Sequence, residues 1–338
     1  MMPMLKRTCL CLALLSCALL QAQPIKIYGH RGARGLSPEN TLPSYRTALT
    51  IGVNMVDMDI TLSKDKQLVV YHDLVLNPAT TRDAAGHWVS QTIPIKSLTL
   101  AQLQQYDVGQ LNPDTAYAKL FPLQKALPHT PMPSLQQVIA QVQSLSHGKV
   151  GFQIEIKTDP TQPQLSATPA DIVMPLYRLL KQTHLLHSAE IQAFDWRCLR
   201  LLNQLDPKIK TAYLTARGTE ALSPETDKPE LRGMWTAGLN PKDFNYDYPR
   251  MVKHLGGHFW EPYAGDLSLQ QLQAAHRLGL KVVVWSWPEM DGTNFKAERI
   301  SKLIRWGVDG LITDRPDALR GLLAARDRVV PSAYLNQG

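Results

Sequence analysis

Short β-prone runs rich in Val, Ile and other apolar residues recur along the chain, separated by amphipathic or irregular stretches. Runs of this kind indicate strands when turn-forming residues bound them. Eight runs qualify, at 25–30, 55–62, 149–157, 190–194, 209–214, 256–260, 281–287 and 309–313. We therefore predict eight strands distributed over the length of the chain.

Amphipathic segments with helix start and stop signals lie between several of these runs. Pro43 stands in the first turn of one segment, and Gly52 ends it. Ser268 caps a second segment that ends at Gly279, and a third segment ends at Gly307. Strands that alternate with helices indicate a parallel sheet, and eight such units indicate an α/β fold of the (β/α)₈ TIM barrel type. A doubly wound open sheet is the alternative architecture.

Two stretches depart from this alternation. A further β-type run at 68–72 follows the second strand, and the Pro- and Gln-rich segment 73–147 is too long for an ordinary loop. We predict that 73–147 is an insertion after the second barrel strand and that 216–250 is a second elaboration. The barrel is expected to span 23–325, with a C-terminal tail at 326–338.

The N-terminus has the pattern of an export signal. Lys6 and Arg7 precede an apolar run at 9–20 that is too short to span a bilayer. We predict a signal peptide at 1–22, and hence a periplasmic or secreted protein. A buried N-terminal helix and a lipoprotein anchored through Cys17 are alternatives that rank below simple export.

Cysteine content and charge narrow the chemistry. Three of the four cysteines lie in the predicted leader, so only Cys198 is certain to remain and no internal disulfide is expected. The formal charge is +7, which favours anionic ligands only weakly once the two basic leader residues are removed. No block of Lys and Arg with interleaved aromatic residues is present, so we do not expect nucleic acid as a partner.

Acidic residues occur near the carboxyl ends of the second and third predicted strands, the edge at which α/β barrels bind ligands. Because residues two apart in a strand share a face, Asp57 lies beside Asp59, and Glu155 lies beside Lys157. Carboxylates that point the same way repel each other unless a cation separates them, so we predict a metal site at Asp57, Asp59 and Glu155. Oxygen ligands of this kind suit Ca²⁺ or Mg²⁺. The alternative is that the two aspartates lie on a solvated face.

Two of the ten histidines end a β-type run and precede a charged residue, namely His30 before Arg31 and His72 before Asp73. Two histidines at one site can act as general base and general acid, because their ordinary pKa lies nearest to neutral pH. We predict this role for His30 and His72, with a structural role as the alternative. The other eight histidines are assigned no function.

Several motifs follow one another in a fixed order: His30-Arg31-Gly32, Pro38-Glu39-Asn40-Thr41, Asp57-Met58-Asp59, the run 61–65, His72-Asp73, Glu155-Ile156-Lys157, Phe194-Asp195 and the run 307–316. Together they resemble the glycerophosphodiester phosphodiesterase family. The match runs from about residue 26 to residue 320. His-Arg-Gly alone would carry no weight, whereas the ordered set is specific.

The resemblance implies a TIM barrel that uses a divalent ion to hydrolyse small glycerophosphodiesters to sn-glycerol 3-phosphate and an alcohol. It also implies a role for each residue: acid and base for His30 and His72; metal ligands for Asp57, Asp59 and Glu155; phosphate contacts for Arg31 and Lys157; support of the site for Glu39; and packing near the glycerol for Trp285. Which histidine is the acid stays open. It also stays open whether water or the glycerol 2-hydroxyl attacks.

The chain departs from the family at the first metal ligand. The family usually has Glu-x-Asp where this chain has Asp57-Met58-Asp59, so that ligand is one methylene shorter and the preferred ion is less defined. Two other functions compete with the main hypothesis. One is a lysophospholipase D-type phosphodiesterase, which would need an apolar channel for an acyl chain. The other is a non-catalytic phospholipid-headgroup binding protein, against which the paired histidines and the three carboxylates argue.

Overall fold

Eight parallel strands close into a barrel in the computed structural model, which describes residues 24–216, 233–286 and 296–334. These strands and one antiparallel strand are β1 (Lys26–Gly29), β2 (Met55–Leu62), β3 (Leu68–Val70), β4 (Gly151–Ile156), β5 (Glu190–Ala193), β6 (Lys210–Thr215), β7 (Phe259–Pro262), β8 (Lys281–Val284) and β9 (Gly310–Thr313). The barrel order is β1-β2-β4-β5-β6-β7-β8-β9, and β9 pairs with β1 to close it. The predicted (β/α)₈ TIM barrel is confirmed.

Helices alternate with the barrel strands. They are α1 (Leu42–Ile51), α2 (Leu100–Leu103), α3 (Ala116–Lys119), α4 (Leu135–Ser146), α5 (Pro169–Gln182), α6 (Trp196–Leu205), α7 (Tyr248–His254), α8 (Leu269–Arg277), α9 (Ala297–Trp306) and α10 (Pro316–Ala324). Their ends follow the capping signals of the sequence. Thr41 and Ser268 accept hydrogen bonds from the first turns of α1 and α8, and Gly52 and Gly307 end α1 and α9 with positive φ.

The chain leaves the barrel pattern after the antiparallel pair β2–β3. Residues 71–134, here called the insertion, contain α2 and α3 and pack a small core against β3, made of Val69, Tyr71, Leu76, Val89, Ile95, Leu103, Val108 and Met132. α4 belongs to the barrel instead, since it packs beside α1 and leads into β4. The segment outside the barrel pattern therefore ends at Ser134, where a capping box starts α4, and not at residue 147.

Parts of several predictions lie outside the described residues. They include the leader 1–22, residues 217–232 of the expected elaboration at 216–250, and the last four residues of the C-terminal tail. The described remainder of that elaboration contains a short 3₁₀ helix (Pro241–Phe244) and the start of α7. Within the described ranges, no helix is both long and apolar enough to cross a bilayer.

The barrel interior is divided into an apolar and a polar side. Nine buried apolar residues, mostly from β6 to β9, form one cluster: Tyr28, Met55, Ala212, Leu214, Ala216, Phe259, Val283, Trp285 and Ile312. β2, β4 and β5 instead contribute buried carboxyl and amide side chains: Asp57, Asp59, Gln153, Glu155, Glu190 and Gln192. Because β2, β4 and β5 are neighbours in the barrel, these polar groups collect on one side of its interior.

A tight loop carries the chain from β1 into α1. Gly32 adopts a φ of 87°, and a Cβ atom there would lie 2.5 Å from Ser44 Oγ and 2.7 Å from the Ser44 carbonyl carbon. The Ser44 hydroxyl donates to the Arg31 carbonyl at 3.0 Å and accepts from the Ala33 amide at 2.8 Å. The loop is thus fastened to the first turn of α1, which fixes the side chains that follow β1.

This geometry predicts that Gly32→Ala lowers the free energy of unfolding by about 2–4 kcal/mol, from the left-handed backbone together with the collision at Ser44. Gly279→Ala is the matched control, because Gly279 also has a positive φ, of 76°, but open space around it. Urea unfolding of both variants separates the cost of the left-handed backbone, which both share, from the cost of the collision with Ser44, which only Gly32→Ala has. Equal losses would show that the close approach to α1 does not lock this loop.

Candidate active site

A cavity of about 710 Å³ opens at the carboxyl ends of the barrel strands. Eight of the nine residues predicted for the site line it: His30, Arg31, Glu39, Asp57, His72, Glu155, Lys157 and Trp285. The ninth, Asp59, is buried and lies within reach of Arg31 and Lys157. The fold therefore brings all nine into one region, although they come from six separate parts of the chain.

The three predicted metal ligands lie on neighbouring strands. Asp59 of β2 is the direct partner of Glu155 of β4 in the parallel register. The ammonium of Lys157 lies 3.2 Å from Asp59 Oδ1 and 2.5 Å from Glu155 Oε1. Arg31 Nε lies 3.1 Å from Asp59 Oδ2. Asp57 accepts hydrogen bonds from the backbone amide of Arg31 at 3.2 Å and from an amide side chain on β5, that of Gln192, at 2.5 Å.

Burial and mutual repulsion act differently on the three carboxyl groups. Burial raises the pKa of Asp57 well above its usual range, and the charges of Asp59 and Glu155 raise it further. Burial also raises the pKa of Glu155, to about 7, although Lys157 opposes the change. For Asp59, Lys157 and Arg31 outweigh burial and hold the pKa well below its usual range. Asp59 thus pairs with both cations, Glu155 pairs with Lys157, and Asp57 accepts only hydrogen bonds from Arg31 N and Gln192 among the contacts described above.

Three buried carboxyl groups share these two cations, and this excess of carboxyl groups bears on a metal ion. Carboxylate oxygens in surplus over nearby cations are the donors that a hard divalent ion such as Ca²⁺ or Mg²⁺ takes. In the described ranges of the chain, no three His, Cys, Asp or Glu side chains are arranged so that they could hold an ion together. The Lys157 ammonium instead bridges Asp59 and Glu155. The donor set therefore fits an ion in its chemistry, provided that Lys157 moves aside.

His30 is held by a carboxylate and a guanidinium. Its Nδ1 lies 2.7 Å from Asp314 Oδ1, and Arg34 donates to both oxygens of Asp314, at 2.8 and 2.9 Å. Because the ionised carboxylate can only accept, Nδ1 carries the proton and Nε2 is left with a free lone pair. Burial and the nearby Arg34 lower the pKa of His30 to about 4, against the opposing effect of Asp314. His30 is therefore neutral at neutral pH.

His72 has a similar partner in a different setting. Its Nδ1 lies 2.6 Å from Asp73 Oδ1, and Asn77 donates to the other oxygen of Asp73 at 2.6 Å. Burial lowers the pKa of His72, and the charges of Arg31 and Lys157 lower it further. Both histidines thus face one cavity with Nδ1 turned toward a carboxylate, which leaves Nε2 of each for proton transfer.

Several residues of the site lack a clear signal in the sequence. Arg34 lies in the motif loop but is not marked out by any spacing, and Tyr117 comes from the insertion. Asp314 ends the last strand, a position that suggests a site residue without indicating its partner, His30. Asp195, which likewise follows a strand, does not line the cavity, because it caps α6 and accepts from Thr158 and Arg197.

The opposite wall of the cavity is apolar and aromatic. It is formed mainly by residues that belong to or follow β5, β6, β8 and β9, together with one residue between β6 and β7, namely Phe194, Leu214, Trp285, Ile312 and Trp235. Trp285 meets Phe194 edge to face, with ring centroids 5.5 Å apart, and its indole nitrogen donates to the Glu261 carbonyl at 3.1 Å. A ligand in this cavity would therefore have its charged part on one side and its apolar part on the other.

Comparisons with known proteins agree with this arrangement. The family model described as "Glycerophosphoryl diester phosphodiesterase family" matches residues 30–318. A glycerophosphodiester phosphodiesterase of Bacillus subtilis strain 168 is 26% identical over 302 residues, covering 88% of this chain and 86% of the relative. The human glycerophosphocholine phosphodiesterase GPCPD1 is 29% identical over 310 residues, covering 85% of this chain and 43% of that longer protein.

Solved structures share the fold. A predicted member of the same family from Silicibacter pomeroyi DSS-3 superimposes with a TM-score of 0.76 at 27% identity, covering 90% of this chain and 95% of that one. A phosphodiesterase of Oleispira antarctica, determined in complex with the product sn-glycerol-3-phosphate, has a TM-score of 0.62 at 20% identity and covers 89% and 97% of the two chains. At that identity, the second likeness concerns the fold alone.

Proposed function

Because the chain belongs to the glycerophosphoryl diester phosphodiesterase family, we propose that it hydrolyses glycerophosphodiesters to sn-glycerol 3-phosphate and an alcohol, with His30 and His72 as base and acid. The observation that carries this proposal is the meeting of two His–Asp pairs and two cations, Arg31 and Lys157, in one cavity. Nucleophilic attack on a phosphodiester needs proton transfer on two sides and neutralisation of charge between them. The cavity offers each of these.

Arg31 and Lys157 are proposed to bind the phosphate. Both side chains line the cavity and are mostly buried, so their charges act in a medium of low dielectric constant. Glu39 accepts from Arg31 Nη1 at 2.7 Å and so orients the guanidinium. Trp285, on the opposite wall, is proposed to pack against the glycerol carbon atoms.

Asp57, Asp59 and Glu155 would hold the divalent ion, Ca²⁺ or Mg²⁺. Members of this family are generally metal-dependent. When bound, such an ion supplies positive charge next to the phosphoryl oxygens. Asp57 is one methylene shorter than the glutamate that the family usually has at this position. Gln192 of β5 donates to Asp57 Oδ1 and so orients this carboxylate. Lys157, once freed from the carboxylates, would be available to the substrate phosphate.

The surroundings of the two histidines suggest how they divide the proton transfers. The Arg34 guanidinium lies 3.1 Å from His30 Nδ1 and disfavours an imidazolium there, so we assign the general base to His30. Arg31 and Lys157 also lower the pKa of His72, but its Nδ1 contacts Asp73 and the described residues place no guanidinium at hydrogen-bond distance from it, so we assign it the general acid. In this scheme His30 Nε2 takes the proton of the attacking hydroxyl and His72 gives one to the leaving alcohol. Attack by water gives sn-glycerol 3-phosphate directly, whereas attack by the glycerol 2-hydroxyl gives a cyclic phosphate that water must then open.

A turnover and binding assay tests the proposed reaction. We expect the protein with Ca²⁺ or Mg²⁺ to release sn-glycerol 3-phosphate from glycerophosphocholine, and a chelator to abolish the release. Asp59→Asn should lose at least about 100-fold in kcat and the ion-dependent rise in Tm. Asp171→Asn, at an exposed ion pair, is the control and should change neither.

Binding of glycerol phosphate without any turnover would instead favour the headgroup-binding protein. Full activity in the presence of the chelator would remove the metal from the proposal, while leaving the roles of the two histidines to be tested separately.

Leaving groups of different basicity test the histidine assignment. In the nitrophenyl ester of glycerol 3-phosphate, here called the nitrophenyl diester, the leaving nitrophenolate departs without a proton. His72→Ala should therefore lower kcat about 10²–10⁴-fold on glycerophosphocholine but far less on the nitrophenyl diester. His30→Ala should cost a similar factor on both substrates, because both need the base. His187→Ala, at an exposed His–Asp pair outside the cavity, is the matched control. If the nitrophenyl diester rescues His30→Ala and not His72→Ala, the two roles are exchanged.

The apolar wall favours a second candidate substrate class. Phe194, Leu214 and Trp235 of this wall offer little to a deacylated glycerol, which carries hydroxyl groups, but suit an acyl chain. Leu165, which lies between β4 and α5, adds a further apolar side chain to the cavity. A lysophospholipase D-type activity, on diesters that keep one acyl chain, therefore fits the same catalytic groups.

Short acyl chains below their micellar concentration test this candidate. If the chain packs on the apolar wall, kcat/KM for 1-acyl-glycerophosphocholines should rise about fourfold for each added methylene. Leu165→Gln should flatten this slope, whereas Leu123→Gln, at an exposed position outside the cavity, should leave it unchanged. A rate independent of chain length would restrict the enzyme to deacylated substrates.

A further inference from the structure

Tyr117 joins the insertion to the floor of the cavity. It lies on α3, a single turn that begins at Thr115, and its side chain lines the cavity. Its hydroxyl accepts from Arg34 Nη1 at 3.2 Å and donates to Glu39 Oε2. Phe121 fixes the ring from the other side, with centroids 5.1 Å apart. One hydroxyl group from outside the barrel is thus held between two charged groups of the loop after β1.

These two charged groups lead to different parts of the site. Glu39 uses its second oxygen to hold Arg31 Nη1 at 2.7 Å, and Arg31 is the proposed phosphate ligand. Arg34 holds both oxygens of Asp314, the partner of His30. The Tyr117 hydroxyl therefore contacts both Glu39, which orients the proposed phosphate ligand, and Arg34, which orients the carboxylate partner of the proposed base.

The direction of the two hydrogen bonds is fixed by charge. A guanidinium can only donate and an ionised carboxylate can only accept, so the phenol must accept from Arg34 and donate to Glu39. Burial and the charge of Glu39 raise the pKa of Tyr117, which keeps its proton in place. Bonds of this kind to charged groups are among the stronger and more directional ones in proteins.

Further contacts link the insertion to the backbone of this loop and to the face of the Arg34 guanidinium. Gln124 donates to the Arg34 carbonyl at 2.7 Å, and the Lys125 amide donates to the Leu36 carbonyl at 3.0 Å. Both hold the backbone of the loop. Arg34 also stacks over Phe121, 4.8 Å from the ring centroid, which restrains its plane but not the direction of its Nη1 atom.

We propose that Tyr117 is a positioning residue that fixes Arg31 and His30 relative to each other, so that the insertion completes the site as well as covering it. This inference rests on the proposed phosphodiesterase activity, in which Arg31 binds the phosphate and His30 transfers a proton. A loss of the hydroxyl would free the Glu39 carboxylate and the Arg34 guanidinium to move separately.

Tyr117→Phe tests this role, because it removes the hydroxyl and keeps the ring. We expect the inhibition constant for inorganic phosphate to rise about tenfold and kcat to fall about tenfold or more, as loss of a hydrogen bond to a charged group would produce. Tyr213→Phe is the matched control: Tyr213 is also buried, and its hydroxyl accepts from Asn203 at 3.2 Å outside the cavity. It should lower Tm comparably and change neither kinetic constant.

A double-mutant cycle with Glu39→Gln separates positioning from a general loss of stability. If Tyr117 acts on phosphate through Glu39, Tyr117→Phe should raise the phosphate inhibition constant by less than about threefold in the Glu39→Gln background. Additive effects would overturn the proposed route. Should Tyr117→Phe fail to fold, Tyr117→Met, which also lacks the hydroxyl, is measured in its place.

The outcomes distinguish this inference from the proposed function. A wild-type protein that releases no glycerol phosphate contradicts the function itself. A wild-type protein that turns over while Tyr117→Phe behaves like Tyr213→Phe contradicts only the positioning role. A selective rise in the phosphate inhibition constant with a fall in kcat supports it.

Discussion

Charge compensation at the buried carboxylate of Asp59 is the constraint on which the barrel mouth depends. Arg31, which follows β1, and Lys157, which follows β4, both pair with it, and Asn40 donates to it at 2.8 Å. Arg31 and Asn40 both have positive φ, of 48° and 56°, which costs energy for residues other than glycine. The Arg31 ion pair and the Asn40 hydrogen bond both involve Asp59, so this carboxylate holds the strained loop that carries His30.

The sequence contains enough to place the strands and the main reacting groups. The two-residue period puts Asp57 beside Asp59, and parallel pairing brings Asp59 opposite Glu155. The supporting groups could not be predicted in this way, because they depend on contacts across the fold. Tyr117 meets a residue 78 positions away, and no periodicity relates a one-turn helix in an insertion to the loop after β1.

Buried polar side chains also lie below the site, deeper in the barrel. Their environment limits the negative charge in the barrel interior. Glu261 is fully buried and accepts from Gln153 at 2.6 Å, and burial together with the nearby Glu190 and Asp57 raises its pKa well above the usual range. Glu190 is compensated differently, by the Tyr28 hydroxyl at 2.8 Å and the Lys26 ammonium at 3.0 Å. The raised pKa of Glu261 and the pairing of Glu190 both reduce the uncompensated negative charge in this part of the barrel.

One of the two proposed catalytic histidines follows a barrel strand, and the other lies in the insertion. His30 follows β1, and its Asp314 partner follows β9, so this pair moves only with the barrel. His72 and Asp73 begin the insertion, and Asn77 of the same segment holds Asp73. Their separation therefore depends on how the insertion sits against the loop after β1. The Tyr117 hydroxyl spans that junction, so a barrel without the insertion would keep the side chains of Arg31 and His30 but lose both the second histidine and the hydroxyl that positions the first two.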